Sequence, residues 1–177
     1  MRAVIIYESI FGNTRQVAEA VARGLRNRLD VVVREVGQGP PGLEGVDLLV
    51  VGGPIHAWSM SRDATRKGAR EQAEAAEVQP VSPGIGIREY LRKLPKHEGE
   101  IAAAAFDTAL RKTGWLPTGS AAKPAAKRLA ASGFRLLVQP EHFYVKETQG
   151  PLDDGELERA QTWGVALADA LVRAENE

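Results

Sequence analysis

The chain alternates between short apolar runs and longer segments in which apolar residues recur at every third or fourth position. Continuous apolar runs predict strands buried on both faces of a sheet, and the wider spacing predicts amphipathic helices. Because predicted strands and helices alternate, we expect an α/β fold with a doubly wound, five-stranded parallel sheet and right-handed crossovers. The five strands are predicted at residues 4–7, 30–36, 46–51, 101–106 and 134–138, and residues 142–145 continue the last strand after Pro140.

The helix predicted at residues 61–77 has few large apolar side chains. We expect its alanines, including Ala69, Ala73 and Ala76, to pack closely on the sheet. Its charged run at residues 66–71 is expected to face solvent.

Two other predictions depend on local signals. Residues 101–106 contain four successive alanines, which favour a helix by intrinsic propensity. Their place in the alternation nevertheless predicts a strand, since small residues let the covering helices approach. The last helix is predicted to begin at Asp153, which would form a capping box with Glu156.

Length, composition and charge indicate a single domain spanning residues 1–177. The chain is 44% hydrophobic and 26% charged, which is ordinary for a globular protein. Its 23 basic and 23 acidic residues balance, so nothing favours broad electrostatic binding to nucleic acid. The absence of cysteine excludes disulfides and thiolate metal sites. With no apolar stretch long enough to span a bilayer and no signal segment, we expect a cytoplasmic protein.

The turn after the first strand carries the strongest candidate chemistry. It consists of Ser9, Ile10, Phe11, Gly12, Asn13 and Thr14. Backbone N–H groups at a helix start carry partial positive charge, and Gly12 lets a ligand approach closely, so this turn can hold a phosphate without a lysine. The alternative is an ordinary strand-to-helix turn with a hydroxyl cap.

This turn resembles the T-x-T-G-N-T loop with which the flavodoxin family holds the phosphate of FMN. The resemblance implies a flavodoxin-like fold with strand order 2-1-3-4-5 and FMN as the cofactor. Phe11 departs from the pattern, because short flavodoxins usually carry a second hydroxyl residue there, although quinone reductases of the superfamily also place an aromatic residue at this point.

The loop after the third strand should form one wall of the flavin site. It contains Pro54, Ile55, His56, Ala57 and Trp58, and open α/β sheets bind ligands at the carboxyl ends of their strands. The resemblance implies that Trp58 stacks on the flavin ring. His56 would bind either the ring or the local backbone. Ala57 stands near a position where short flavodoxins often carry glycine, at a peptide that turns over on reduction, so alanine disfavours one-electron carriage.

The loop after the fourth strand would form the second wall. The resemblance assigns Asp107, Thr108 and Trp115 to it, with Trp115 on the opposite face of the ring. The alternative is a surface loop anchored by one tryptophan.

We therefore expect an FMN-binding redox protein that transfers electrons to a redox partner protein. An FMN-dependent reductase or oxidase acting on a small quinone-like or porphyrinogen-like substrate is one alternative, and a flavin-free binding module is another. A response regulator is excluded because Gly52, Gly53 and Pro54 occupy the place of its aspartate. Nucleotide hydrolysis is disfavoured because no lysine follows Gly12 in the P-loop pattern.

Overall fold

The computed structural model describes residues 1–39, 42–98, 100–111 and 119–176. The strands in these ranges are β1 (Arg2–Tyr7), β2 (Asp30–Glu35), β3 (Leu48–His56), β4 (Ser59–Met60), β5 (Ala102–Leu110), β6 (Arg135–Leu136) and β7 (Glu141–Val145). The α-helices are α1 (Asn13–Leu25), α2 (Asp63–Ala75), α3 (Ile87–Lys93), α4 (Ala122–Ala131) and α5 (Glu156–Glu175).

The main sheet is parallel, with the order β2-β1-β3-β5 followed by β6 and β7, which both pair with β5. The α/β fold and the arrangement of the main strands are confirmed. The five-stranded count needs two corrections, because the predicted fifth strand is divided into β6 and β7 and because β4 adds a short antiparallel strand beside β3.

The division of the fifth strand follows from its register. Leu136 pairs with Ala103 and Glu141 pairs with Phe106, so five steps along this segment match three steps along β5. The extra residues include Pro140, which has no N–H to donate to a ladder. The segment therefore leaves the sheet and rejoins it.

The third and fourth strands are longer than predicted. Gly52 stays in the sheet because the ring of Phe106 occupies the place of a side chain there, and a Cβ on Gly52 would lie only 2.0 Å from that ring. Pro54 pairs with Thr108 on β5. Since β1 ends opposite Gly52, the other side of Pro54 needs no ladder donor. The four alanines of β5 are buried, which confirms the strand prediction there.

Two apolar layers cover the sheet. α1 and α5 pack on one face, where Phe106, Phe143 and Trp163 make edge-to-face contacts. α3 and α4 pack on the other face around Leu49, Leu91 and other residues. Across the described ranges, no helix has both the length and the apolar character required to cross a membrane.

The structure corrects the prediction for α2. Ala69 and Ala73 are buried, but they pack against Ile10 and Phe11 of the first loop, and Ala76 is exposed. Arg66, expected in solvent, is only 3% exposed. α2 therefore covers the loop rather than the sheet, because tertiary contacts of that loop determine which face of the helix is buried.

The last helix begins three residues later than predicted, after Gly155, which has a φ of 82°. Glu156 does not form the capping box with Asp153. One of its carboxylate oxygens accepts the Tyr144 N–H at 2.7 Å and the side chain pairs with Arg159. The Glu156 carboxylate therefore bonds to the backbone of β7 instead of capping the start of α5.

Candidate functional site

The loop between β1 and α1 exposes the start of a helix. Gly12 has a φ of 92°, no side chain caps the N-terminus of α1, and its first turn contains no acidic residue. The Gly12 N–H donates to Ser9 Oγ at 3.1 Å. The N–H groups of Asn13 and Thr14 have no acceptor within the helix, so they can bind an anion.

The hydroxyls of this loop are bonded within the protein but retain donor capacity. Ser9 Oγ acts as an acceptor toward Gly12, which leaves its own O–H free to donate. Thr14 Oγ1 lies 2.8 Å from Thr108 Oγ1, and because one hydrogen is enough for that bond, the second hydroxyl hydrogen of the pair remains available.

Residues outside the loop hold its backbone in place. The Ser9 N–H donates to Ser82 Oγ at 3.0 Å, the Ser82 N–H donates to the Ser9 carbonyl at 2.7 Å, and the Val81 N–H donates to the Ile10 carbonyl. Asn13 Nδ2 donates to the Gln149 carbonyl at 3.1 Å. The Asn13 side chain therefore ties residues near 149 to the loop.

The β3–β4 hairpin has a strained turn. Its two turn residues, Ala57 and Trp58, have φ values of 46° and 72°, between the paired residues His56 and Ser59. Such turns favour asparagine and glycine, and a left-handed conformation costs other residues about 1 kcal/mol each. The Ser120 N–H donates to the Trp58 carbonyl at 3.0 Å, which helps to hold the turn.

His56 adds a neutral imidazole beside this turn. Burial lowers its pKa, and the nearby Arg66 guanidinium lowers it further, while a hydrogen bond with the Thr65 backbone has the opposite, smaller effect. The bond to Thr65 is a local backbone contact, one of the two roles considered for this side chain. His56 is therefore uncharged near neutral pH.

A cavity of about 680 Å³ joins the first loop to the hairpin. This volume lies within the usual range for small-molecule sites. Trp58, which is 61% exposed, stands at its rim. The predicted site residues that line it are Ser9, Ile10, Phe11, Asn13, Thr14, Pro54, Ile55, His56, Ala57, Trp58 and Thr108.

Three predicted site residues stand apart from this set. Gly12 does not line the cavity, although it shapes the loop that does. Trp115 lies outside the described residues. Asp107 is fully buried, and its Oδ2 accepts hydrogen bonds from Ser120 Oγ and from the Ala121 and Ala122 N–H groups. Its carboxylate therefore holds the start of α4 instead of facing the cavity.

The sequence analysis missed one wall of the cavity. α2 contributes Thr65, Gly68, Ala69 and Gln72. These residues are spaced by three and four positions, so they share one face of a helix, and that spacing was visible in the sequence. The extended end of β5 and the segment beyond β7 supply the others, which are Ala109, Leu110, Arg111, Val145 and Thr148.

Arg111 places a cation at the cavity rim. Its Nε donates to Asp153 Oδ2 at 2.7 Å, and its guanidinium carbon lies 4.8 Å from the centre of the Tyr144 ring. The hydrogen bond with Asp153 raises the pKa of Arg111, so the residue stays charged.

The sequence and the fold were compared with those of known proteins. Residues 4–74 match the model of the flavodoxin domain family. The comparison with curated proteins gives no match. The chain is similar to the structure of a flavodoxin from the domain Archaea, with 19% identity, coverage of 97% of this chain and 99% of that chain, and a TM-score of 0.64. It is also similar to flavodoxin 1 from Bacillus cereus, with 16% identity, coverage of 98% of each chain and a TM-score of 0.63. A flavodoxin, WrbA-like protein from Agrobacterium tumefaciens has 16% identity, coverage of 97% of this chain and 98% of that chain, and a TM-score of 0.60.

At these identities the structural likeness shows the fold, and it extends over nearly the whole chain. The domain match covers the first loop, β3 and most of α2, which are the segments that build much of the cavity. Residues 4–74 thus resemble a flavodoxin domain in sequence, and the chain as a whole has a flavodoxin-like fold.

Proposed function

We propose that the chain binds FMN non-covalently in the 680 Å³ cavity and functions in electron transfer. One observation carries the proposal: a single cavity connects the uncapped helix start of α1 to the exposed indole of Trp58. When bound, FMN supplies electrons that can be passed on singly or in pairs.

The loop residues fit the phosphate end of FMN. The first turn of α1 offers unpaired N–H groups and contains no acidic residue, so a dianionic phosphate meets donors and the positive end of the helix dipole. Ser9 and the pair formed by Thr14 and Thr108 retain hydroxyl hydrogens that can donate to it. The sequence analysis assigned Thr108 to the second wall of the flavin site, and its contact with Thr14 adds it to the proposed phosphate-binding residues.

The hairpin residues fit the ring end. Trp58 offers a large, rigid apolar surface for a flat ring, and Ile55 and Phe11 extend the apolar lining. His56 is neutral, so it brings no positive charge to the ring.

A second candidate function is a reductase or oxidase that acts on a small quinone-like molecule. The rim of the cavity exposes Trp58 at 61% and Leu110 at 45%. Exposed apolar side chains at a cavity rim suit a flat, apolar substrate. The same rim suits a partner protein, so stepwise reduction of the flavin is needed to distinguish electron transfer to a protein from reduction of a small substrate.

Substituting Gly12 tests the phosphate end. Gly12→Asp and Gly12→Asn are matched in size, and both side chains tolerate a positive φ, but only aspartate adds a negative charge at the start of α1, next to the N–H groups proposed to bind the phosphate. We expect Gly12→Asp to bind FMN at least about tenfold more weakly than Gly12→Asn, because like charges at this range repel by more than about 1 kcal/mol. Riboflavin, which has no phosphate, should bind both variants equally in fluorescence titrations. Equal FMN affinities of the two variants would contradict the phosphate assignment.

Absorption spectroscopy tests the rest. The protein is mixed with FMN, desalted and then reduced stepwise under argon. Flavin that is retained and reduced in two separate one-electron steps supports electron carriage, whereas direct two-electron reduction favours the reductase. If no flavin stays bound, and Phe11→Thr does not restore binding, the flavin-free module replaces both.

A further inference from the structure

A second groove lies between α3 and α4, and it shares no lining residue with the cavity. Its volume is about 330 Å³. Four cationic side chains line it: Arg88 and Arg92 from α3, and Lys127 and Arg128 from α4. Arg92, Lys127 and Arg128 are exposed and Arg88 is half-buried.

The positive charge of this groove is balanced only in part, since Glu89, which does not line the groove, is, among the described residues, the one acidic residue that raises the pKa of Arg88. No acidic residue lines it, and none of the four cations forms an ion pair with a carboxylate in the described ranges. Burial lowers the pKa of Arg88, and so does the repulsion from Arg62 and Arg92. Because the whole chain has a net charge of zero, this concentration of cations is a local feature rather than a result of composition.

The floor of the groove is apolar. Its apolar lining residues are Met60, Leu91, Pro124 and Ala131, of which Met60 and Leu91 are buried, Pro124 is half-buried and Ala131 is exposed. Among the residues that the structure describes, no aromatic side chain lines the groove, so these residues offer nothing on which a nucleic-acid base could stack. A cationic rim around an apolar floor complements an acidic segment that also carries apolar side chains.

Arg88 connects this groove to the hairpin. Its Nη2 donates to the Met60 carbonyl at 2.7 Å and its Nε to the Ser61 carbonyl at 2.9 Å. Met60 in turn pairs with Ile55 across the hairpin. Two of the five guanidinium N–H groups are used in these bonds, which leaves three for a ligand. A ligand of Arg88 would thus bind next to the strand that leads from the Trp58 turn.

We propose that the groove between α3 and α4 is a docking surface for an acidic amphipathic segment of a partner protein. Apolar side chains of that segment rest on Pro124 and Ala131, and its carboxylates pair with the four cations. In this proposal the chain supplies the basic surface and the partner supplies the acidic one, which is the opposite of an acidic electron carrier that docks on a basic partner. The inference concerns a surface separate from the cavity, so it stands independently of FMN binding.

Fluorescence anisotropy tests the docking surface. The probe is a fluorescein-labelled amphipathic helical peptide of about 18 residues, long enough to form a helix, with glutamates beside a leucine face. Lys127→Glu/Arg128→Glu reverses two cations in the last turns of α4. Arg23→Glu/Arg26→Glu makes the same change in net charge at the end of α1, where both arginines are exposed. Circular dichroism and thermal melting check that both variants fold.

We expect the α4 variant to bind the peptide at least about tenfold more weakly than wild type and the α1 variant to bind it nearly as well, since only direct partners of the carboxylates are lost. Binding should weaken with added salt and when glutamine replaces the leucine face. Equal losses in the two variants, or no binding by the wild type, would overturn the proposal. Tighter binding of single-stranded DNA than of the peptide would also overturn it, in favour of a nucleic-acid site.

Discussion

At the residue scale, the buried Asp107 and the half-buried His142 form a pair at the end of the sheet. Asp107 Oδ1 lies 2.6 Å from His142 Nδ1, and the two residues are register partners on β5 and β7. The hydrogen bond to Asp107 raises the pKa of His142, while partial burial opposes this to a smaller extent. His56 shows the reverse, because burial lowers its pKa.

The two histidines should therefore affect stability in opposite directions as pH changes. A folded-state pKa above the unfolded value means that His142 stabilises the fold below about pH 6.5 and that this contribution is lost as the pH rises through the raised pKa. We expect the stability advantage of wild type over His142→Asn, measured by urea unfolding, to shrink from pH 5 toward pH 9.

His56→Asn provides the matched comparison. Its lowered pKa means that protonation favours the unfolded state, so stability is lost as the pH falls below about 6.5. The advantage of wild type over His56→Asn should therefore grow with rising pH. Parallel pH profiles for the two variants would show that the opposite pKa directions are wrong.

At the element scale, α1 and α5 approach each other closely through glycine. A Cβ on Gly24 would lie 2.1 Å from the Gln161 carbonyl oxygen, and one on Gly164 would lie 2.2 Å from the Val21 carbonyl oxygen. The backbones of the two helices are therefore in direct contact. This contact seals the face of the sheet that contains Phe106.

Gly164→Ala should separate these helices. The added methyl group meets backbone rather than a flexible side chain, so we expect a loss of about 1–3 kcal/mol or more in the free energy of unfolding. A Cβ on Gly68 of α2 would have no neighbouring atom within 4 Å, and Gly68→Ala should instead stabilise the protein by up to about 1 kcal/mol, because alanine favours helix. Denaturant unfolding measures both, and a neutral Gly164→Ala would contradict the close approach.

At the scale of the whole molecule, a buried polar cluster links β1, α2 and α3. Arg66 Nη1 lies 3.0 Å from Ser61 Oγ and 3.0 Å from Glu89 Oε2. Glu8, next to Arg66 and only 1% exposed, accepts the Ile87 N–H at 2.9 Å. Burial raises the pKa of Glu8. The cluster joins the start of α3, and with it one side of the cationic groove, to the end of β1.

Removing Arg66 should weaken this link. Arg66→Met leaves the Glu89 carboxylate without its partner, and we expect a loss of about 2 kcal/mol in the free energy of unfolding because Glu89 is partly exposed. Arg70→Met is the control, since Arg70 only donates to the Pro83 carbonyl at 3.3 Å at the surface, and it should change stability by under about 0.5 kcal/mol. Equal effects of the two substitutions would rule out a special role for Arg66.

The parts of the fold that were predicted from sequence are those with a local cause. Strands buried on both faces need continuous apolar runs, so β1, β2 and β3 could be located directly. The first loop and the hairpin residues were singled out because they follow these strands, and the cavity brings most of them together.

Other features depend on residues distant in sequence. Arg66 belongs to a charged run that predicts a solvated face, and only the position of Glu89 and Ser61 explains its burial. Asp107 was assigned to the cavity wall by its place after a strand, but α4 and His142 take both of its oxygens. Glu156 was predicted to cap a helix, but Tyr144 and Arg159 bind it instead. In each case the polar side chain bonds to a residue outside the local pattern on which the prediction was based.

The sequence by itself determined the alternation of strands and helices, the strand-to-helix loop at residues 9–14 and the turn that carries Trp58, because backbone preference and apolar periodicity act over a few residues. Only the tertiary structure decided that α2 closes the cavity, that the fifth strand divides in two, and that four cations from α3 and α4 share one groove. Those outcomes depend on which distant segments meet, since a buried charge or an open groove arises from neighbours that no local pattern specifies.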